Sequence, residues 1–298
     1  MKVFYSDRYT IPLPPQHKFP MEKYAGIRSQ LLENNVLNIN EMHEAPTASY
    51  HDVVVAHSNQ YVDAVFSNTL DDKSIRKIGF PRTELLLGRS LATVGGASAS
   101  ALEAINNGFS GNLAGGTHHA HYDSGEGFCV FNDFAVTALN LLKKKIVKRI
   151  GILDLDVHQG NGNASILGDV HNVYILDMYC EKNYPFHKIL PNHPVPLSTE
   201  CTDEEFLDLL TINIVKMMEF KPDIIFYQHG SDMLAEDSLG KMKLSLEGLK
   251  NRDEIVFDFC KKNGIPLSLG QGGGYSKPIS ITIQAHVNTY QLAKSYFS

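Results

Sequence analysis

Three side chains in the sequence have the types and spacing of metal ligands. Asp156 and His158 stand two residues apart at the end of the apolar run RIGILDL, and Asp232 follows a second run, DIIFYQH. Side chains two apart in an extended chain point to the same side. Two carboxylates and one imidazole leave a coordination position open, as in catalytic metal sites. Zn²⁺ is the first expectation and Fe²⁺ the competitor, because oxygen-rich sites are less selective. The alternative is that these residues only cap the next helix.

An adjacent histidine pair, His118 and His119, has the chemistry to move protons beside such a metal. Amide hydrolysis needs a base that takes a proton from water and an acid that protonates the leaving amine, and imidazole can do both near neutral pH. Asp154 is available to orient one ring, and Asn161 can hydrogen-bond the other without adding charge. The alternative is a turn with one buried histidine.

The glycine-rich loop GQGGGY, residues 270–275, places a phenol after three consecutive glycines. It fails the spacing of dinucleotide-binding loops and has no Walker-type Lys-Ser/Thr. The glycines permit a close approach of the backbone, which turns Tyr275 into a crevice. Its hydroxyl is suited to donate to the oxyanion of a tetrahedral intermediate. The alternative is an exposed tyrosine after a flexible turn.

These polar residues follow short apolar runs that alternate with longer helical patterns, which predicts a single α/β domain with a mainly parallel central sheet and helices on both faces. The carboxyl ends of parallel strands share one edge, so we expect the polar residues to meet in one crevice there. The predicted strands cover residues 2–6, 111–115, 149–155, 172–178, 223–229 and 266–270. The predicted helices cover residues 23–33, 81–107, 132–145, 203–220 and 249–263, with Thr202 as an N-cap and Gly264 as a C-cap.

Composition limits the classes of function. The chain has 298 residues, is 43% hydrophobic and carries a formal charge of −6, which is typical of a folded globular protein and argues against nucleic-acid binding. The basic cluster at residues 143–149 is interpreted as a helix C-terminus. Four irregularly spaced cysteines favour a reducing compartment, and no signal peptide or membrane span is recognised, so a cytoplasmic location is expected.

Four segments in order resemble the signature of the zinc-dependent histone deacetylase and acetylpolyamine amidohydrolase superfamily. They are GGTHHAHYDSGEGFCVFND, ILDLDVHQGNG, HGSDMLAEDSLG and LGQGGGY. HQGNG, DMY and HKFPMEKY, residues 17–24, are most similar to class IV members and their bacterial relatives. The resemblance implies the arginase–deacetylase fold and one catalytic domain over residues 1–298, with no room for an added regulatory domain.

The resemblance also implies site roles. Asp156, His158 and Asp232 would be the zinc ligands and Tyr275 the phenol that polarises the carbonyl group. The general base and acid would be His119. The remaining implied roles are His118 as its electrostatic companion held by Asp154, and a potassium ion near Asp154 and Asp177. Gln159 and Asn161 stand where some members have a second His and Asp, so a less basic His119 is expected.

Members of the superfamily bind the acyl-lysine stem in a narrow apolar tunnel. The implied tunnel residues are Gly127, Phe128, Leu239, Gly273, Gly274 and Tyr184, the last preferred to Phe186. No motif residue matches the acidic rim contact of many members, and Phe80 falls near that place. Polyamine-selective members are expected to have Glu where this chain has Leu239.

The expected activity is therefore removal of acetyl or longer acyl groups from lysine side chains of proteins or peptides. Alternatives are an acetylpolyamine deacetylase, a ureohydrolase with two manganese ions, and a non-catalytic acyl-lysine binder. The sequence leaves the oligomeric state open.

Overall fold

The structure, a computed structural model, describes residues 1–297. Its centre is one eight-stranded sheet in which every neighbouring pair of strands is parallel, in the order β2-β1-β3-β8-β7-β4-β5-β6. The strands are β1 (Lys2–Tyr5), β2 (Met42–Glu44), β3 (Phe109–Asn112), β4 (Ile150–Asp154), β5 (Val173–Cys180), β6 (His193–Leu197), β7 (Ile224–His229) and β8 (Leu267–Gln271). The predicted α/β class and parallel sheet are confirmed.

All six predicted strands are present, and the structure adds β2 and β6 at the two edges of the sheet. Both are short, and β6 contains two prolines, which a sheet accepts only where the missing N–H faces no neighbour. The predicted strand at 111–115 is wrong in its bounds, since β3 ends at Asn112. Left-handed φ values of +105° at Gly115 and +63° at Gly116 turn the chain soon afterwards.

Eleven α-helices and two 3₁₀ helices of three residues each are found in residues 1–297; the α-helices alone are numbered. They are α1 (Glu22–Glu33), α2 (Tyr50–Val53), α3 (Asn59–Phe66), α4 (Asp72–Ile78), α5 (Leu85–Asn107), α6 (Asp133–Lys143), α7 (Asn161–Leu167), α8 (Asp203–Ile214), α9 (Met217–Phe220), α10 (Leu246–Asn263) and α11 (Ser280–Phe297). The predicted caps are confirmed: Thr202 Oγ1 accepts from Glu205 N, and Gly264 ends α10 in the left-handed conformation. The helix predicted over 203–220 is two helices, α8 and α9, and the one predicted over 81–107 begins only at Leu85.

Helices cover both faces of the sheet. Side chains alternate along β7, so that Ile224 and Phe226 join one hydrophobic core while Ile225 and Tyr227 join the other. The first core is completed mainly by α3, α5 and α6, and the second by α1, α8, α10 and α11. Because both faces are covered, the carboxyl edge of the sheet is the place where loops can form a site.

One helix in residues 1–297, Leu85–Asn107, is long and apolar enough by length and composition to cross a bilayer. Its most apolar window is 67% buried within the protein. The helix packs on β3 and β8, and this burial is what the central helix of a two-sided α/β sheet requires.

Candidate active site

The three predicted metal ligands come together at the carboxyl edge of the sheet. Asp156 and His158 follow β4, and Asp232 follows β7, which is paired with β4. The Nδ1 atom of His158 lies 3.0 Å from Asp156 Oδ1 and 3.1 Å from Asp232 Oδ2. One ligand atom from each residue lies within 4.8 Å of the others, and all three side chains are buried. Asp156 and His158, two residues apart after β4, therefore point to the same side of the chain, as the sequence predicted.

Backbone amides hold the two carboxylates in place. Gly273 N donates to Asp156 Oδ2 at 2.7 Å, and Val157 N donates to Asp232 Oδ1 at 3.0 Å. A Cβ atom at Gly273 would overlap Asp232 Oδ2, so glycine is required at this close approach. The glycine-rich loop after β8 is thus part of the support of the donor set.

The charges at this point favour a cation. Burial disfavours a charged imidazole, yet Asp156 and Asp232 together raise the pKa of His158 well above its usual value. Burial and the nearby Asp156 raise the pKa of the Asp232 carboxyl. Two buried carboxylates this close repel each other unless positive charge lies between them. One nitrogen and several carboxylate oxygens, already converged and fixed by amides, fit a Zn²⁺ or Fe²⁺ ion.

The histidine pair lies next to the donor set. His118 Nδ1 donates to Asp154 Oδ2 at 2.9 Å, and His119 Nδ1 donates to Asn161 Oδ1 at 2.7 Å. The rings of His118 and His119 are 4.1 Å apart between centroids, and the His119 ring is 6.0 Å from that of His158. The sequence predicted both hydrogen bonds, that of His118 to Asp154 and that of His119 to Asn161.

The two partners give the two imidazoles different protonation. Burial works against a charge on His118, but Asp154 and Asp156 outweigh it and raise its pKa. Burial, with the imidazoles of His118 and His158 nearby, lowers the pKa of His119 well below its usual value. His119 is therefore neutral and able to accept a proton, whereas His118 carries the charge.

Tyr275 lines the same cavity as Asp156 and His158, with its ring 6.5 Å from that of His158. Tyr275 N donates to Asp237 Oδ2 at 2.6 Å, and Ser238 Oγ donates to Tyr275 O at 2.8 Å, so the loop is anchored. Burial, with Asp232 and Asp156 nearby, raises the pKa of the phenol well above its usual value. The hydroxyl therefore keeps its proton and can donate a hydrogen bond.

A second pair of buried carboxylates lies behind the histidines. Asp154 and Asp177 are direct neighbours in the β4–β5 register, and both are fully buried. Gly160 N donates to Asp177 Oδ2 at 3.0 Å, while Asp177 Oδ1 has no hydrogen-bond partner within residues 1–297. An orphaned buried carboxylate oxygen beside another carboxylate fits a monovalent cation such as K⁺.

A narrow cavity reaches the donor set and contains three of the predicted tunnel residues, Gly127, Phe128 and Gly273. The Phe128 ring packs against Phe19 at 5.1 Å between centroids. A Cβ atom at Gly127 would lie only 2.7 Å from His119 Cδ2, so the cavity wall has no space for a side chain at position 127.

Tyr184, Leu239 and Gly274 were predicted in the tunnel but do not line this cavity. The ring of Tyr184 stands edge-on to His119 at 5.0 Å, so it belongs to the same neighbourhood, whereas Phe186 is 83% exposed. Leu239 is half-buried, and its carbonyl accepts from Asn183 Nδ2. Phe80, which the resemblance put near the rim, is buried behind Phe128.

Sequence reasoning missed two cations that line the cavity, Lys23 of α1 and Arg89 of α5. Lys23 is 1% exposed, and its ammonium lies 5.0 Å from the Phe19 ring centre and 5.1 Å from the Tyr275 ring centre. Arg89 donates to Tyr9 O at 2.5 Å and to Tyr24 Oη at 3.0 Å. Within residues 1–297 neither is paired with a carboxylate. Arg89 is the one arginine among the mostly small and apolar residues of α5, and this is the sequence signal that could have identified it.

Comparison with known proteins agrees with this architecture. The family model of the histone deacetylase domain matches residues 17–290. An uncharacterized protein of Picosynechococcus sp. is 33% identical over 296 residues, which cover 99% of either chain. Histone deacetylase 2 of Arabidopsis thaliana is 32% identical over 290 residues, covering 93% of this chain and 75% of the relative.

Solved structures share the fold. The HDA15 HD domain has a TM-score of 0.84 at 18% identity and covers 99% of this chain and 88% of its own. A histone deacetylase homologue from Aquifex aeolicus has a TM-score of 0.83 at 24% identity, with 99% and 84% covered. Identities this low show the fold alone, and the likeness to class IV stays a prediction. Because the domain match and the relatives above 30% identity span nearly its whole length, this chain belongs to the histone deacetylase and acetylpolyamine amidohydrolase superfamily.

Proposed function

We propose that this deacetylase-family protein is a metal-dependent amidohydrolase that removes acetyl or longer acyl groups from lysine side chains of proteins or peptides. The observation that carries the proposal is the convergence of the Asp156, His158 and Asp232 donor set with His119 and Tyr275 at one cavity. A Zn²⁺ or Fe²⁺ ion held by this donor set would supply Lewis-acid polarisation of the amide carbonyl and of the attacking water.

The protein's own residues divide the proton transfers. His119, neutral and held through Nδ1 by Asn161, takes a proton from water on its other nitrogen and returns it to the leaving amine. His118, charged and paired with Asp154, supplies positive potential beside the developing negative charge. The hydroxyl of Tyr275, which lines the same cavity, donates to the same oxyanion. K⁺ near Asp154 and Asp177 would neutralise the second carboxylate pair.

Lys23 and Arg89, the two cations in the cavity, can bind the carboxylate product of the proposed reaction. Hydrolysis of an acyl amide releases an amine and a carboxylate, and the carboxylate needs positive charge if it stays in a buried place. Lys23 and Arg89 offer that charge, because each is buried among aromatic rings and backbone oxygens instead of acidic side chains. An acyl-lysine reader without chemistry would have no use for this arrangement.

A turnover panel tests the proposal. Acetyl-, butyryl- and myristoyl-lysine peptides are compared with acetylspermidine and acetylputrescine, with the protein loaded with Zn²⁺ or with Fe²⁺, and kcat/KM is measured for each. We expect an acyl-lysine peptide to be the best substrate. A higher kcat/KM for an acetylpolyamine would assign the small-amide alternative, and urea release from arginine or agmatine would assign the ureohydrolase alternative.

Leu239 gives a prediction about selectivity. Leu239 does not line the cavity, but the resemblance places it on the wall of the substrate tunnel, where an apolar side chain offers a distal ammonium no partner. Leu239→Glu should therefore raise kcat/KM for acetylspermidine relative to acetyl-lysine peptide by about fivefold, the equivalent of roughly 1 kcal/mol from a half-exposed ion pair. Leu239→Gln is the matched control, since it is polar but uncharged. An unchanged ratio for Leu239→Glu, or the same change for Leu239→Gln, contradicts a charge effect at this position.

Metal removal gives a prediction about stability. An ion that binds only the folded protein, at a free concentration 100 times its Kd, stabilises the fold by about 2.7 kcal/mol. Removal of the ion by a chelator should therefore lower Tm by about 4 °C in a chain of this length. Thermal unfolding is followed with chelator and after Zn²⁺ is restored. His158→Ala is the control and should show no Tm difference between the two conditions. Equal Tm values for the wild-type protein would refute a structural contribution from the ion.

A further inference from the structure

Glu126 contacts the end of the Asn161 amide that faces away from His119. Its carboxylate is buried, with the residue 7% exposed, and does not line the cavity. Oε1 accepts from Asn161 Nδ2 at 2.7 Å, and Oε2 accepts from Lys77 Nζ at 2.8 Å. Burial alone would raise the pKa of Glu126, but His121, Lys77 and Asn161 together hold it well below its usual value. An ionised acceptor is therefore fixed against the amide of Asn161.

The amide of Asn161 has two ends of opposite hydrogen-bonding character. Its oxygen only accepts and its NH₂ group only donates, although the two ends are nearly equal in size. Oδ1 accepts from His119 Nδ1 at 2.7 Å, and the NH₂ end faces Glu126 Oε1. The identity of the atom that faces His119 therefore depends on what lies at the other end of the amide.

His121 also lies at the far end of the Asn161 amide. Ser165 Oγ donates to Gly162 O at 3.0 Å, so its oxygen accepts from His121 Nδ1 at 2.8 Å. The remaining nitrogen, Nε2, lies 3.1 Å from Asn161 Nδ2 and 3.4 Å from Glu126 Oε1, so the neutral ring accepts from the amide and the charged ring donates to the carboxylate. Glu126 is therefore the group that requires the NH₂ end of the amide in either state of His121.

We propose that Glu126 is a positioning residue for the general base: it fixes the Asn161 amide so that His119 carries its proton on Nδ1 and presents the Nε2 lone pair to the cavity. The inference rests on the proposed function, because it concerns the base of that reaction. A reversed amide would donate to Nδ1, move the ring proton to Nε2, and leave His119 unable to take a proton from water.

Glu126→Gln is the informative variant, because Lys77 determines how the new side-chain amide lies. Lys77 can only donate, so the introduced glutamine gives it the oxygen and turns its own NH₂ group toward Asn161. Two donors then face each other, and Asn161 relieves the clash by reversing. We expect kcat to fall on the order of 100-fold, within the range of a lost general base, with little change in KM.

The double variant Glu126→Gln/Asn161→Asp should restore most of kcat. The carboxylate introduced by the second substitution accepts from the new glutamine and from His119 Nδ1 alike, so the tautomer of His119 is again fixed. A purely structural role for Glu126 predicts no rescue, because the second substitution then adds a further defect. Asp123→Asn is the matched control, since it removes one negative charge from an exposed position of the same loop and should leave kcat unchanged.

A spectroscopic readout separates this inference from the proposed function. Nitrogen-15 NMR of histidine-labelled, Zn²⁺-loaded protein without substrate reports which ring nitrogen of His119 is protonated, with the signals identified from a His119→Gln sample. We expect Nδ1–H in the wild type, Nε2–H in Glu126→Gln and Nδ1–H in the double variant. Nδ1–H in all three would overturn the inference even if the enzyme is active. A wild type that hydrolyses no acyl-lysine would overturn the proposed function and leave the tautomer result to decide the role of Glu126.

Discussion

Asp156→Ala and His158→Ala are each expected to abolish metal binding and to lower turnover of acyl-lysine peptides by about 10³-fold or more, because Lewis-acid stabilisation is worth several kcal/mol. His158 lies between the two carboxylates, at 3.0 Å from Asp156 and 3.1 Å from Asp232, so its loss removes the central donor. The measurements are bound metal per chain and kcat/KM in each variant.

The two variants differ in a second effect. Asp156 also accepts the Gly273 amide at 2.7 Å, so its replacement frees the loop that carries Tyr275, whereas His158→Ala leaves that bond intact. His158→Ala is therefore the cleaner test of the metal alone. His171→Ala is the control, since this exposed histidine lies before β5 at the opposite edge of the sheet. Full metal content together with full turnover in His158→Ala would remove the central claim.

The convergence of the polar strand ends could be predicted because it follows from one rule of parallel sheets. Asp154, Asp177 and Asp232 all stand at or just after apolar runs, and such runs are strong signals for buried strands. Once the strands are parallel, their carboxyl ends lie at one edge whatever their order. The strand order itself, with β8 between β3 and β7, was not predicted, since no local pattern encodes which strand lies beside which.

The parts that were missed come from packing between distant segments. Lys23 and Arg89 reach the cavity from α1 and α5, so only the packing of these two helices brings them together. The edge strand β2 has only three residues and β6 contains two prolines, so neither forms a sustained apolar run. Glu126 lies inside the segment GGTHHAHYDSGEGFCVFND, yet its proposed role depends on Lys77, which is 49 residues earlier in the chain, so no local pattern indicates the contact.

Tyr275→Phe is expected to lower kcat by about 30- to 1000-fold, the equivalent of the roughly 2–4 kcal/mol contributed by one oxyanion donor. The raised pKa keeps the phenol protonated, so the wild-type hydroxyl can donate a hydrogen bond. Phenylalanine removes only this hydroxyl.

The rest of the environment of Tyr275 should survive the substitution, which is why the prediction is specific to kcat. The ring contacts with Phe19 at 5.9 Å and Phe128 at 6.2 Å and the Lys23 ammonium at 5.1 Å depend on the ring face, and Asp237 holds the backbone nitrogen. KM, metal content and Tm should therefore stay close to wild type, as should every parameter of the exposed control Tyr122→Phe. An unchanged kcat would show that Tyr275 is not the oxyanion donor. A loss of kcat that is matched by a loss of metal would instead make its role structural, because a hydroxyl that acts only on the transition state cannot affect the resting site.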